Sequence, residues 1–457
     1  MDVLIKNCAI ISGDGKTILE NAWIGIKNDK IVAVSQDKVP DCILNDTQCK
    51  IIDAQNCYAI PGVINTHTHG CSIGPLYSSG ATPPELSKAL RNADRHLQQG
   101  TCSLINVCGL GSFDETERVN QLHPLKIHMG TAHFPSSFKA AAIIDAKGLK
   151  KEHYSITAKE ILNLGAVLVG EIGSGATLGG GVSEYKYIPE AIYKKCGILL
   201  SEMQVHAMKQ AFLTFQSSET TITGRELPEL ITEYGLGGKV STDEIVEIFD
   251  FYTNHSINTS LASFDEAFEF AEKHSMPIIF HNSSVSAAKI FELSQKMKKS
   301  KIIAAHSNHT SFNLDECLRW TRKLKANGVI IDVASINSFS GYNIRSIQNI
   351  EALLAENLVD IFSTDYGGGV WDSILEMIQY FCKRNLLDLK KGINMVSGAI
   401  PIIFGKPFSN LGLIQEGKTA DITIADKLNL AKVEYVLIDG KIVVDGAFRV
   451  YKKQEEL

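Results

Sequence analysis

Residues 61–70 read Pro61-Gly62-Val63-Ile64-Asn65-Thr66-His67-Thr68-His69-Gly70. A Pro-Gly step opens an apolar, β-favouring run that ends in two histidines two positions apart. Side chains alternate along an extended chain, so both imidazoles point to one side and Thr68 to the other. Facing the axis of a barrel, such a pair is half of a divalent metal site.

Outward from this stretch the chain alternates. Strand-like runs are expected at Ala59–Thr66, Ser103–Val107, Leu125–Thr131, Ala166–Glu171, Pro277–His281, Ile302–His306, Gly328–Val333 and Asp360–Thr364. Helix-like segments fall between them, including Pro84–Leu97, Ser263–His274, Leu314–Ala326 and Ser346–Glu356, with Ser263 and Glu266 spaced as a capping box. This pattern predicts an α/β fold, a (β/α)8 TIM barrel, whose active site lies at the C-terminal ends of its strands.

The residues ending those strands form a set. Strand 4 ends in Glu171, strand 5 in His281, strand 6 in His306, and Asp365 follows strand 8. A glutamate directly after a buried apolar run is costly unless it is paired or metal-bound. With His67 and His69 this makes four histidines and two carboxylates at one face, too many ligands for one four-coordinate ion and suited to two. His67, His69 and Asp365 are expected to hold the more buried ion, His281 and His306 the other, and Glu171 to bridge them. Water between two such ions loses its proton near neutral pH, and a metal-bridging hydroxide attacks a carbonyl carbon. Asp365 then carries the proton to the leaving nitrogen. Zinc is the first expectation, with zinc and iron together or manganese as alternatives, because imidazole and carboxylate ligands accept several metals.

Other residues on that face are expected to touch substrate: His133 as a catalytic group, and Asn282, His309 and Tyr366 as binding groups, with Gly367-Gly368-Gly369 letting substrate approach the backbone. His128, earlier in strand 3, is expected to pack inside. The glycines at 173, 175 and 179–181 resemble a phosphate cradle, but no Lys-Ser or Lys-Thr follows, which argues against a P-loop.

The ends of the chain are β-rich. Ala22–Ile26 and Lys30–Val34 flank a turn, and Asp439-Gly440 joins Val433–Ile438 to Lys441–Val444 in a strong hairpin signal. Residues 1–58 and 409–457 are therefore expected to form one small β-sandwich, leaving 59–408 for the barrel. Residues 172–276 form an insertion between strands 4 and 5, far longer than a barrel step requires. A lid over the site and an assembly contact are equally expected of it.

These residues resemble the amidohydrolase superfamily. The likeness includes Pro-Gly-x-Ile-x-x-His-x-His, the histidines of strands 5 and 6, the aspartate of strand 8, and the run Gly417–Asp426 leading back into the terminal sandwich. Where the superfamily commonly has a carboxylated lysine, this chain has Glu171, as in the glutamate-bridged branch that includes enamidase. The resemblance implies a binuclear centre of zinc, or of zinc with iron, and a homo-oligomer. The function expected is hydrolysis of a C–N bond in a small, cyclic amide, enamide or imide. The alternatives are a deaminase of a ring amidine, an N-acetyl amino-sugar deacetylase, or a scaffold that has lost catalysis.

Bulk properties agree with a small-molecule enzyme. The chain has 457 residues, 44 % hydrophobic and 21 % charged, and a net charge of −6. There is no basic excess to favour nucleic acid, no apolar run long enough to span a membrane, and no leader pattern at the start. The ten cysteines form no CxxC pair and are expected to be reduced thiols of a cytoplasmic protein.

Overall fold

The structure, a computed structural model, describes residues 1–178, 186–216, 226–335, 347–367, 371, 373–446 and 448–449. Gly179-Gly180-Gly181, Ser346 and Gly368-Gly369 lie outside the described residues.

Eight parallel strands form the expected barrel: β1 (Val63–Thr68), β2 (Thr101–Asn106), β3 (Lys126–Thr131), β4 (Leu168–Ile172), β5 (Pro277–His281), β6 (Lys301–Ala305), β7 (Ile330–Ala334) and β8 (Ile361–Ser363). The first and last strands meet just beyond β8. Asp365 N–H donates to His67 O (2.9 Å) and His69 N–H to Tyr366 O (2.8 Å). Alternate residues serve two cores. Ile279 and Ile303 pack inside the barrel with Ile64, Ile105 and Phe408. Ile278, Phe280, Ile302 and Ala304 face outward onto the helices with Phe264, Phe268 and Leu324. That period of two is what a fully covered strand requires.

A second, mostly antiparallel sheet joins both termini, as expected. Cys57–Pro61 from the N-terminal part pairs with Ile422–Asp426 from the C-terminal part. The hairpin at Asp439-Gly440 has both residues at positive φ, 49° and 73°, the conformation of the favoured two-residue turn. Residues 59–61, expected at the start of the first barrel strand, pair in this sheet instead. The chain changes sheets at Gly62, where an added Cβ would lie 2.3 Å from Cys102 Sγ. Lys126 at the start of β3 ties the two parts together, 2.9 Å from Asp421 and 2.7 Å from Asp439.

Between β4 and β5, helices Ile188–Cys196, Glu202–Gln216, Leu227–Glu233 and Thr242–Asn254 enclose their own core, including Ile188, Met208, Phe212, Leu230 and Phe249. The next helix, Ile257–His274, packs on β4, β5 and helix Pro135–Ile144, so it belongs to the barrel wall. It begins six residues before Ser263, and the expected capping box there does not form. Ser263 Oγ donates to Ser260 O, and the Glu266 carboxylate accepts from Ser136 N–H (3.1 Å) and Ser136 Oγ. A tertiary partner has displaced the local one. No helix among the described residues is long and apolar enough to cross a membrane.

Candidate metal centre

β1 delivers its two histidines through an irregularity. Its pairing with β2 shifts between Asn65 and Thr68, the kind of break that re-aims side chains at the rim of a barrel. Thr68 turns away and donates its hydroxyl to Ile105 O. His67 Nε2 and His69 Nε2 each lie 3.3 Å from Asp365 Oδ1. β4 is re-aimed in the same way at Gly170. Its φ is +118°, and an added Cβ would come 2.4 Å from Ile279 O, so glycine is required there. The next residue, Glu171, turns to the axis.

The Glu171 carboxylate divides the histidines into two groups. Oε2 faces His67 Nε2 at 3.7 Å and His69 Nε2 at 3.6 Å. Oε1 faces His281 Nδ1 at 3.1 Å and His306 Nε2 at 3.2 Å. All six expected ligands therefore converge. Two sets place donor atoms within 4.8 Å of one another, His67 with Glu171 and His306, and His67 with His69 and Asp365.

These residues fit divalent cations. They offer only nitrogen and oxygen donors. His67 Nε2, the ring atom that points to Glu171 and Asp365, is buried and makes no hydrogen bond, an arrangement that is expensive in a core without an occupant. The electrostatics agree. Burial alone would lower the His67 pKa, but Asp365 and Glu171 outweigh it and raise it to about 10. Burial would raise Glu171, yet His67, His281 and His306 hold it well below the carboxylate range. Asp365 is also held down, by His67 and His69 against burial. His281 is lowered to about 4 by burial and by His306, so it is a neutral imidazole at pH 7.

The secondary candidates are placed differently. Asn282 donates from Nδ2 to Ser307 Oγ (3.1 Å), and its buried Oδ1 has no hydrogen bond. The His309 ring lies 5.2 Å from the rings of both His281 and His306. His133 is bound to Thr131 Oγ1 (3.0 Å) and packs on Phe138, with no hydrogen bond or ring contact to the six ligands among the described residues. Tyr366 does not turn its ring to the centre: its hydroxyl accepts from Arg95 (2.9 Å) and its ring packs on His96 and Trp371. Its backbone serves the barrel seam. His128 packs against Phe408, as expected.

One residue at the centre was not anticipated. Asp332, fully buried on β7, lies 3.5 Å from His67 Nδ1. The signal was a carboxylate inside Ile330-Ile331-Asp332-Val333, the same costly pattern that drew attention to Glu171.

Known proteins are similar to this chain in sequence or in fold. An imidazolonepropionase from Alkaliphilus metalliredigens (strain QYMF) is 23 % identical over 94 % of this chain and 91 % of its own length. A 5-methylthioadenosine/S-adenosylhomocysteine deaminase from Caldicellulosiruptor saccharolyticus is 41 % identical over 15 % of this chain and 16 % of its own. Among solved structures, a beta-aspartyl dipeptidase from Fervidobacterium islandicum AW-1 superposes with a TM-score of 0.56 over 99 % of both chains at 13 % identity, a likeness of fold. Residues 166–443, well over half of the chain, match the amidohydrolase family, and the protein belongs to it: it is an enzyme of carbon–nitrogen bond hydrolysis.

Proposed function

We propose that this enzyme hydrolyses a C–N bond other than a peptide bond in a small, cyclic amide, enamide or imide, with two divalent ions held by His67, His69, Glu171, His281, His306 and Asp365. The observation that carries this is the Glu171 carboxylate, with one oxygen toward each histidine pair. When bound, the ions supply a water of lowered pKa and Lewis acidity at the substrate oxygen. Asp365 handles the proton. Its side chain is 17 % exposed whereas His67 and His69 are at 0 % and 1 %, so it is the member of that set open to the barrel mouth. Its Oδ1 faces the histidines, and Oδ2 is the atom that takes the proton and returns it to the leaving nitrogen. Its depressed pKa keeps it ionised at neutral pH, with oxygens open to a proton. Asn282 and His309, beside His281 and His306, are the proposed substrate contacts, and the helices of 188–254 set the choice of substrate or the assembly.

The local identity with a deaminase supports a second reading, loss of ammonia from a ring amidine by the same groups. Elemental analysis of the purified protein, followed by a hydrolysis screen of the metal-loaded enzyme, tests both. The screen covers lactams, cyclic imides, hydantoins, N-acyl compounds and aminopurines. The expected result is two divalent ions per chain and ring opening of a cyclic amide. Ammonia release from aminopurines alone selects the second reading, and a single tightly bound ion defeats the binuclear one.

A further inference from the structure

Asp332 supplies no ligand, yet it touches both halves of the centre. Its Oδ2 lies 3.5 Å from His67 Nδ1, within ion-pair reach but short of a hydrogen bond; this is the ring nitrogen that faces away from Glu171 and Asp365. The same oxygen accepts the backbone N–H of His306 at 2.9 Å and the Ser363 hydroxyl at 3.0 Å. His306 has φ +31°, a conformation that an L residue holds only when its surroundings impose it. Two metal-ligand histidines, from strands 1 and 6, are thus referred to one carboxylate on strand 7. A carboxylate is a poor choice for a purely structural plug here, because its Oδ1 is buried without a hydrogen bond.

We infer that Asp332 is a positioning residue for the metal centre: its carboxylate fixes His67 with the proton on Nδ1 and the lone pair on Nε2, and holds His306 by its backbone. A ring nitrogen opposite a carboxylate keeps its proton, which leaves the other nitrogen free to ligate and makes it more basic. The two effects need one charged oxygen at one place, which an amide does not supply.

This rests on the metal-centre reading above, so native protein is measured beside the variants. Metal-free Asp332→Asn and native proteins are titrated with Co2+ against a competing chelator, and the visible spectrum of each cobalt form and the melting temperature of each metal-free form are recorded. Asp332→Asn is expected to bind cobalt about 10- to 100-fold more weakly, with altered visible bands and a metal-free melting temperature close to native. Native affinity with an unchanged spectrum overturns the inference, as does lowered metal-free stability with native affinity, which marks a structural role. Native protein that takes up no cobalt overturns the metal-centre reading itself. If Asp332→Asn does not fold, Ser363→Ala decides. It removes one hydrogen bond to Oδ2 and is expected to weaken cobalt binding about 2- to 10-fold, a fraction of the carboxylate's own effect; unchanged affinity overturns the proposal.

Discussion

Cys108 Sγ lies 3.5 Å from His69 Nδ1, so the outer nitrogen of this histidine, just past β1, meets a weakly acidic thiol as that of His67 meets Asp332. His69 pulls the thiol below its ordinary pKa against the effect of burial. Cys108→Ala is expected to weaken binding of the ion proposed for His67, His69 and Asp365 by about tenfold, the lower end of what such outer partners contribute. Cys108→Ser, which keeps a hydrogen-bonding atom, should lose less. Metal content after dialysis against graded chelator measures both.

Asp365→Asn keeps the shape of the residue and removes its capacity to take a proton. Turnover is expected to fall by about 10²- to 10⁴-fold, the range of a general acid–base group, while metal remains bound. Steady-state kinetics with metal analysis of the same sample is the check, and undiminished turnover would rule out the assigned role.

Lys126 is held by Asp421 and Asp439 at the junction of barrel and terminal sheet. Burial alone would lower its pKa, but the two carboxylates outweigh this and keep it above the ordinary 10.5. The unfolded chain therefore loses this proton first as pH rises. The stabilisation is complete below pH 10.5 and is lost as pH climbs toward the folded value. Lys126→Met strands the buried Asp421 and is expected to cost about 3 kcal/mol at pH 7. Urea unfolding of both proteins at pH 7 and above 10.5 should show the gap narrowing at the higher pH.

The helices of 188–254 have a core of their own, with Phe249 fully buried within it. Phe249→Ala is expected to cost about 3–5 kcal/mol locally. Limited proteolysis should then cut within 188–254 while the barrel keeps its metal. Loss of metal together with that cleavage would show that the insertion braces the centre.

Much of this site was legible because a barrel puts every strand end at one face. A residue that closes an apolar run needs no three-dimensional information to be placed there, and His67, His69, Glu171, His281, His306 and Asp365 all met that condition. Asp332 lies inside its strand rather than at its end, where the strand pattern alone does not place it at the site. Tyr366 follows a ligand in sequence, yet its ring turns toward Arg95 and His96, because direction after a strand end depends on loop conformation. Glu266 illustrates the same limit: three residues after Ser263 it matches a local motif, but the hydroxyl it binds is that of Ser136, distant in sequence. The division at Gly62 depended on which sheet captures Ala59–Pro61, a competition between partners that a single strand pattern does not reveal.

The junction of β1 with the end of β8 has a bearing on how the chain matures. Asn65 and Thr364 are bonded across it from positions 299 residues apart, whereas the other barrel neighbours follow one another along the chain. Contacts between remote segments bear the largest ordering cost and come late. His67, His69 and Asp365 straddle this junction, so a newly made polypeptide has no complete cation pocket until its final strand docks. On the proposed metal centre, ion uptake would be a timestamp for barrel closure, and a seated ion would act as a clasp across the junction.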